Sequence, residues 1–488
     1  MNKSFISFLF FFGLVLFAHS FSLGLSDDEA YYWILSRQWS LGSEFHPPMV
    51  AWWIKIVTMV FGDLSVRLPA ILTSLFLVWV TRFYVLNEGK PDLLKFSHQW
   101  IWISLPGLFV GSWMMVPDIP LFFFWGILLL VGRKWIERRS LLLFFVILFS
   151  FAGMNLSKFS GVLILPSLIA SWFFLSDETQ RVRTTFYGGF ALFLGLIFSW
   201  SIIIYWNSAH EWIALKYQFM GRHAGEISWL RYLRFWGIQI ILAGPVLFLF
   251  SLKLPVFFLK KKNKGALYLL FLALPPLIVY FLQPLRAEFK LHWTLAAWIP
   301  LWILWILENI SNRRWFRIQN SFSALVIVFV FLSAHLPILP FFHKAFSDRP
   351  WNPLWDVTGD LEGWRELPSH LKSLGYQLDE WGFAGNRYQT ASQAGFALRE
   401  YGVSVWVPRK EGARFDWSIP RIVKDPVFDL TLLKKTLFFG DHRYNAPPSF
   451  LKASCESIPS LEVNRGSYRS KTILIWKCLP KLSLDDHS

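Results

Sequence analysis

Three consecutive carboxylates, Asp27, Asp28 and Glu29, directly follow the first apolar run of the chain and precede Tyr31, Tyr32 and Trp33. Glu44 comes next, just before Phe45-His46-Pro47-Pro48, and Lys55 lies in an aromatic segment beyond it. Carboxylates at a bilayer edge cost little if they face water, so a solvated loop is one reading of this cluster. The other reading is chemical: a carboxylate held at a membrane surface can take the proton of an incoming hydroxyl. Asp28, in the middle of the tightest acidic cluster, is the candidate general base, and Glu29, Glu44 and Asp118 are further catalytic candidates. The competing role for Asp28 is to cap a surface helix starting near Ala30, which involves no chemistry.

Four later segments carry cations or a lone acid at the ends of apolar runs. Asp118 sits between Pro117 and Pro120 at a helix start, where it could act as a cap or as part of a site. Lys158, in Asn155-Leu156-Ser157-Lys158-Phe159, either snorkels or serves a site. Arg222-His223 lies in a polar loop. Arg286-Ala287-Glu288-Phe289-Lys290-Leu291-His292-Trp293 opens a helix with two cations and a histidine. One pattern accounts for carboxylates and cations together at a membrane rim: transfer of a group from a lipid phosphate. Lys158, Arg222, Arg286 and Lys290 are the candidates for holding the departing phosphate. Asp27, Tyr32, His46, Lys55, Arg67 and His292 are candidates for positioning donor or acceptor.

These segments need a scaffold, and the composition identifies it. The 488 residues are 54% hydrophobic and 19% aromatic, too apolar for a soluble chain, so a polytopic α-helical membrane protein is expected. The net charge of +16 falls mostly between apolar runs, where topology and anionic headgroups explain it better than nucleic acid does. About eleven membrane helices are read, near residues 4–24, 66–86, 98–114, 119–132, 140–156, 160–176, 185–205, 233–252, 266–283, 292–309 and 322–341. The first resembles a signal peptide but is read as an uncleaved helix, because more apolar runs follow. Lys and Arg cluster in alternate loops, at Arg82, Arg133, Lys134, Arg138, Arg139, Arg181, Arg183, Lys260 to Lys262, Arg313 and Arg314, which places those loops inside. The candidate residues then face outward, the first outside loop covering about 25–65.

The chain divides into a transmembrane catalytic domain over 1–345 and, beyond a linker, an extracytoplasmic α/β domain over 346–488. In the latter, helices are expected over 361–374 and 388–401 and strands over 381–384, 403–407 and 472–479. The only cysteines, Cys455 and Cys478, both fall there, and an oxidising compartment predicts a disulfide. No His or Cys spacing frames a metal, no glycine-rich loop cradles a nucleotide, and no cofactor is required; a divalent cation would lack an evident ligand framework.

The residues also carry a resemblance. Asp28-Glu29-Ala30-Tyr31-Tyr32-Trp33, His46-Pro47-Pro48 and Ser65-Val66-Arg67-Leu68-Pro69-Ala70 together resemble the N-terminal pattern of bacterial glycosyltransferase family 39-like proteins. These belong to the GT-C superfamily, with protein O-mannosyltransferases and the aminoarabinose transferases that modify lipid A. Val116-Pro117-Asp118-Ile119-Pro120-Leu121, Ser157-Lys158-Phe159, the segment from Asp356 to Trp364, and Arg387-Tyr388-Gln389-Thr390-Ala391-Ser392 are similar to later motifs of that family, in the same order. The resemblance implies a polyprenyl-phosphate-linked sugar donor, inverting displacement and an active site outside the cytoplasm, with the family's first-loop aspartate falling on Asp28. One departure concerns a second carboxylate: the family has Asp before His-Pro-Pro, whereas Phe45 stands here with Glu44 one residue earlier.

The expected function is therefore a bacterial inner-membrane glycosyltransferase acting on an envelope acceptor, a lipid A or lipopolysaccharide-type glycolipid first, a protein hydroxyl second. A glycolipid transporter or flippase is the alternative from another class. It would place ionisable residues mid-helix in broken, inverted repeats, whereas here they gather at helix ends on one side.

Overall fold

The computed structural model describes residues 3–87, 101–221, 226–256, 263–309, 312–356, 358–385, 387–401, 405–406, 435–441, 447 and 453–480. The chain forms two compact units. One comprises Met1–Ser20 and Ser40–Phe329; the other joins Phe21–Trp39 to Val330–Ser488. The acidic segment therefore belongs to the same unit as the C-terminal chain, where the sequence alone had grouped it with the membrane helices.

The first unit is a helical bundle. Among the described residues six helices are long and apolar enough to cross a membrane: Lys3–Ser22, Asp63–Asn87, Asp118–Glu137, Glu178–Ser208, Lys264–Leu285 and Arg313–Ser333. A seventh span arises if Trp229–Ala243 and Pro245–Ser251, bent by 116°, count as one. Leu141–Ser157, Phe159–Leu175 and Leu295–Asn309 are apolar helices too, but each is shorter than the ~20 residues of a simple span. This is how a reading of about eleven spans meets six or seven full-length ones. Leu295–Asn309 is apolar on every side, with Trp298, Trp302 and Trp305 fully buried, so it forms the centre of the bundle rather than a lipid-facing wall.

The sharp bend falls at Gly244, whose φ of 82° suits glycine and where a Cβ would overlap the Gln319 amide. Breaking a helix inside an apolar bundle exposes backbone groups that no water can satisfy. Gln319 satisfies them. Its Nε2 donates to Ala243 O at 2.7 Å and Ser104 O at 2.6 Å, and its Oε1 accepts from Val246 N at 3.0 Å and Leu247 N at 3.3 Å. The Ser104 contact matters because 98–114, expected as a continuous helix, holds a 3-10 turn over 101–103 and the short helix Pro106–Gly111 among its described residues.

The second unit is α/β. Its sheet runs β2-β1-β3-β5-β4, with β1 Gly382–Gly385, β2 Val405–Trp406, β3 Thr436–Asp441, β4 Ala453–Arg465 and β5 Tyr468–Pro480. β1 is parallel to β2 and β3, while β3 and β4 flank β5 antiparallel. Helices Leu367–Ser373 and Tyr388–Ala397 lie within the expected ranges; β3 and β4 had not been anticipated. Cys455 and Cys478 are register partners across β4 and β5 and form the expected disulfide. Arg465, 6% exposed, ties the linker to the sheet: it pairs with Asp356 at 3.4 Å and Glu362 at 2.5 Å and donates to Ser333 O at 2.9 Å. That network gives the segment from Asp356 to Trp364 a structural role.

Candidate active site

In the helical unit, helix dipoles prepare a buried ion pair. Asp118 is the first residue of Asp118–Glu137, where a negative charge is favoured, and Lys158 closes Leu141–Ser157, where a positive one is. The two ends meet. Lys158 Nζ donates to Asp118 Oδ1 at 2.8 Å and Oδ2 at 2.9 Å, and the residues are 7% and 4% exposed. His292 Nε2 lies 3.2 Å from Asp118 Oδ2, and Lys158 Nζ sits 5.4 Å from the centroid of the Trp293 ring. Asp118 is thus no cap, since Pro117 holds that position without a side-chain bond, and Lys158 does not snorkel.

The turn Leu291–Thr294, which carries His292 and Trp293, is fixed from below by Gln239. The buried Gln239 Oε1 accepts from Thr294 Oγ1 at 2.7 Å and Trp298 Nε1 at 2.9 Å. Nothing in the sequence marks this lone glutamine as part of the support.

Beside the ion pair opens a cavity of about 710 Å³. Its walls are mainly apolar, among them Phe159, Trp200, Phe219, Tyr280, Leu282 and Trp293, with Lys158, Arg286, His46, Ser160, Gln218 and Gln283 as its polar residues. A largely apolar cavity with a few convergent polar groups is the usual form of a small-molecule site. Cations and cavity share the bundle end at which Asp118–Glu137 starts. Arg133, Lys134, Arg138 and Arg139 mark the opposite end, where Arg139 Nη2 donates to Gln180 Oε1 at 2.9 Å.

The remaining candidates in this unit divide. Arg286 and Lys290 are exposed, and Lys55 is half-buried on Met49–Phe61. Glu44 is buried two residues before the cavity-lining His46. Arg67 is buried too: its Nη1 donates to Ser20 O at 2.6 Å and its guanidinium lies 4.9 Å from the Trp113 ring, which makes it a packing element of the bundle. Arg222 lies outside the described residues. Among the described residues no group of three His, Cys, Asp or Glu could hold a metal ion.

The acidic cluster sits in the α/β unit, on the helix Asp27–Ser36. Ser26 caps it. Its Oγ accepts from Glu29 N at 3.3 Å, while Glu29 Oε2 accepts from Ser26 N at 2.9 Å, a complete capping box. Two expectations change. Asp28 is not the cap of a helix starting near Ala30, and the fully buried Glu29 holds the helix start, which removes it from the catalytic candidates. Asp27 is buried and accepts from Gln393 Nε2 at 3.0 Å; Tyr32 is buried as well. Asp28 is exposed and accepts a hydrogen bond from the Tyr388 hydroxyl at 3.2 Å. Burial, and after it the Asp28 and Asp27 charges, push the Tyr388 hydroxyl well above its ordinary pKa, so it remains a donor at any working pH. Tyr388 and Gln393 had no role in the sequence reading. The trace they left was the segment Arg387 to Ser392, visible as a motif without a function.

A fold of this kind, with a helical unit and an α/β unit, is shared with solved structures. The chain is similar to the structure of ArnT from Cupriavidus metallidurans bound to undecaprenyl phosphate, at TM-score 0.61 and 13% identity, covering 96% of this chain and 97% of that one. It is similar also to the same protein in the apo state, at TM-score 0.59 and 14% identity over 96% and 98% of the two chains. Residues 45–206 match the family described as dolichyl-phosphate-mannose-protein mannosyltransferase. A curated relative, the lipid A galacturonosyltransferase RgtD of Rhizobium johnstonii, is 23% identical over 465 residues, covering 92% of each chain. Together these likenesses support a membrane glycosyltransferase similar to those of the GT-C type.

Proposed function

We propose that this glycosyltransferase moves a sugar from a polyprenyl-phosphate donor to a lipid A-type glycolipid on the periplasmic side of the bacterial inner membrane, with inversion at the anomeric carbon. The observation that carries this reading is the apolar cavity with Lys158 and Arg286 among its few polar groups, at the bundle end away from the Arg133–Arg139 cluster. Apolar walls suit a prenyl chain, and fixed cations suit its phosphate. Basic clusters favour the cytoplasmic side, which supports an outward-facing cavity. The two-way coverage of the lipid A galacturonosyltransferase supports the acceptor and makes a uronosyl group the first donor sugar to test.

In the proposed step the acceptor hydroxyl oxygen attacks the anomeric carbon from the face opposite the phosphate. The carbon–oxygen bond to phosphate breaks, and its electron pair stays on polyprenyl phosphate. The hydroxyl proton goes to Asp28. The leaving group is already an anion, so no acid need protonate it, and one carboxylate suffices. Lys158, aimed by Asp118, and Arg286 stabilise the charge on the departing phosphate; Lys290, Arg222, His46, Lys55 and His292 have supporting electrostatic or positioning roles. Glu44 is the reserve carboxylate.

The test is mass spectrometry of envelope lipids from a deletion strain and its parent. Loss of one glycosyl increment from lipid A, restored by the wild-type gene, is expected. Unchanged lipids with a glycosyl increment lost from an envelope protein would overturn the acceptor assignment, and retention at the anomeric carbon of the product would overturn the single displacement.

A further inference from the structure

The carboxylate helix is bound along its length by residues that arrive late in the chain. Gln393 Nε2 donates to Leu25 O at 2.9 Å, to Asp27 Oδ1 at 3.0 Å and to Asp360 O at 3.2 Å. Gly24 N donates to Leu361 O at 2.9 Å. Trp33 meets Phe396 edge-on, with ring centroids 5.0 Å apart, and Tyr31 meets Tyr388 at 5.1 Å. Within this packed face, the Tyr388 hydroxyl reaches the exposed Asp28.

We propose that Tyr388 is a positioning residue for Asp28: the hydrogen bond from its hydroxyl to Asp28 Oδ1 fixes the carboxylate in the orientation from which it accepts the acceptor's proton. This rests on Asp28 being the base. The physical argument is one of restraint. An exposed aspartate on the first turn of a helix samples several rotamers, and only some of them present an oxygen to a hydroxyl. The hydrogen bond selects among them. Tyr388 can make this selection reproducibly because its ring is packed against Tyr31 and its backbone opens the helix Tyr388–Ala397. The bond also stabilises the ionised carboxylate, which keeps it basic but available at lower pH. The other charged or titratable groups on the two packed elements and their caps are Asp27, Glu29, Tyr31, Tyr32, Arg37 and Arg387. The two acids are the like charges beside Asp28, and the Tyr388 hydroxyl is its described donor.

The experiment uses membranes of the deletion strain carrying the full chain, which contain native donor and acceptor whatever the sugar, and reads initial rates of lipid glycosylation against pH. Tyr388→Phe is expected to lower the rate about tenfold, the effect of losing one hydrogen bond to a charged group. Its acid limb should move to higher pH, because the ionised carboxylate loses a stabilising donor. In an Asp28→Asn background the same change should cause no further loss, since the two side chains act as one unit. Trp33→Phe, on the same packed face, is the control; its acid limb should stay at the wild-type position. If Tyr388→Phe fails to accumulate, 3-fluorotyrosine at position 388 preserves the packing with a stronger donor and should move the limb to lower pH. A wild-type rate and profile for the Tyr388 variants beside an inactive Asp28→Asn would overturn the positioning role and leave Asp28 as the base. An active Asp28→Asn would overturn both.

Discussion

Replacing Lys158 by Met separates the structural from the chemical role of the buried ion pair. The ammonium makes bonds of 2.8 and 2.9 Å to the two oxygens of Asp118, a residue 4% exposed. Removing it leaves the carboxylate buried with His292 Nε2 at 3.2 Å as its remaining described partner. Breaking a buried pair from one side costs about 3–5 kcal/mol, because a charge stays desolvated without compensation. Replacing both partners, Lys158→Met with Asp118→Leu, removes the desolvation cost along with the attraction, and such exchanges are near neutral or stabilising by about 1–4 kcal/mol. Stability should therefore fall in the single variant and return in the double. Sugar transfer should not return, since a fixed donor to the departing phosphate is worth about 10²–10³-fold in rate. Denaturant titration in micelles measures the first quantity and glycosylation rates in membranes the second. A double variant with wild-type transfer would refute the reasoning, as the pair would then be packing alone. A single variant as stable as wild type would refute the assignment of a buried, uncompensated charge.

Three further outcomes are expected. Glu29→Gln should transfer sugar near the wild-type rate, since glutamine also closes a capping box, whereas Ser26→Ala should cost about 1 kcal/mol of stability; loss of activity in Glu29→Gln at normal abundance would return Glu29 to the catalytic group. Gln319→Leu should reduce folded yield sharply, because three hydrogen bonds at the Gly244 break and a fourth to Ser104 O vanish together and each orphaned buried group costs about 1–3 kcal/mol; an unaffected yield would show that the break needs no such support. The Cys455→Ser and Cys478→Ser pair should lose about 3 kcal/mol, from a loop closed across a separation of 23 residues, and thiol labelling of the unreduced, denatured wild type should find no free cysteine.

What the sequence made legible follows from what local pattern encodes. Apolar runs and Lys/Arg asymmetry locate helices and bundle ends, because both are properties of short segments. Partnership is not such a property. Asp118 and Lys158 were each visible, but their spacing of 40 residues says nothing of a bond, and each alone read as well as a cap or a snorkelling cation. The strand β4 escaped notice because Pro459 interrupts its pattern; the structure absorbs the proline at a register shift between Ile458 and Leu461, where a strand tolerates it. The strand β3 is buried at every position and short, so it shows no alternation to find. Gln319 and Gln239 do not stand out among the other polar residues of their helices, and only the break and the turn they support give them meaning. Glu29 was misjudged for the opposite reason: the acidic triplet was read as one cluster, whereas Ser26 three residues before it already spelled a capping box.

The division of the chain into units has a consequence for catalysis. Residues Phe21–Trp39 leave the bundle and pack with a segment that begins three hundred residues later. The backbone itself is shaped for this. A Cβ at Gly24 would stand 2.5 Å from Leu361 O, so only glycine allows the strand-like approach of the two chains there. Arg365, 344 residues from Phe21, donates to Phe21 O at 3.2 Å and to Ser22 O at 3.4 Å, and reaches Leu23 O as well. Three consecutive carbonyls bound by one guanidinium, followed by the Gln393 and Tyr388 contacts, fix the acidic helix more tightly than a mere surface loop requires. A carboxylate that must meet a hydroxyl in one geometry needs such support, because a misplacement of about 1 Å can cost 10²-fold in rate. The α/β unit is then the holder of Asp28, the proposed base. Each unit treats its own charge differently: Lys158 is desolvated against Asp118 in the helical unit, whereas the carboxylate of Asp28, the proposed base, is exposed in the α/β unit.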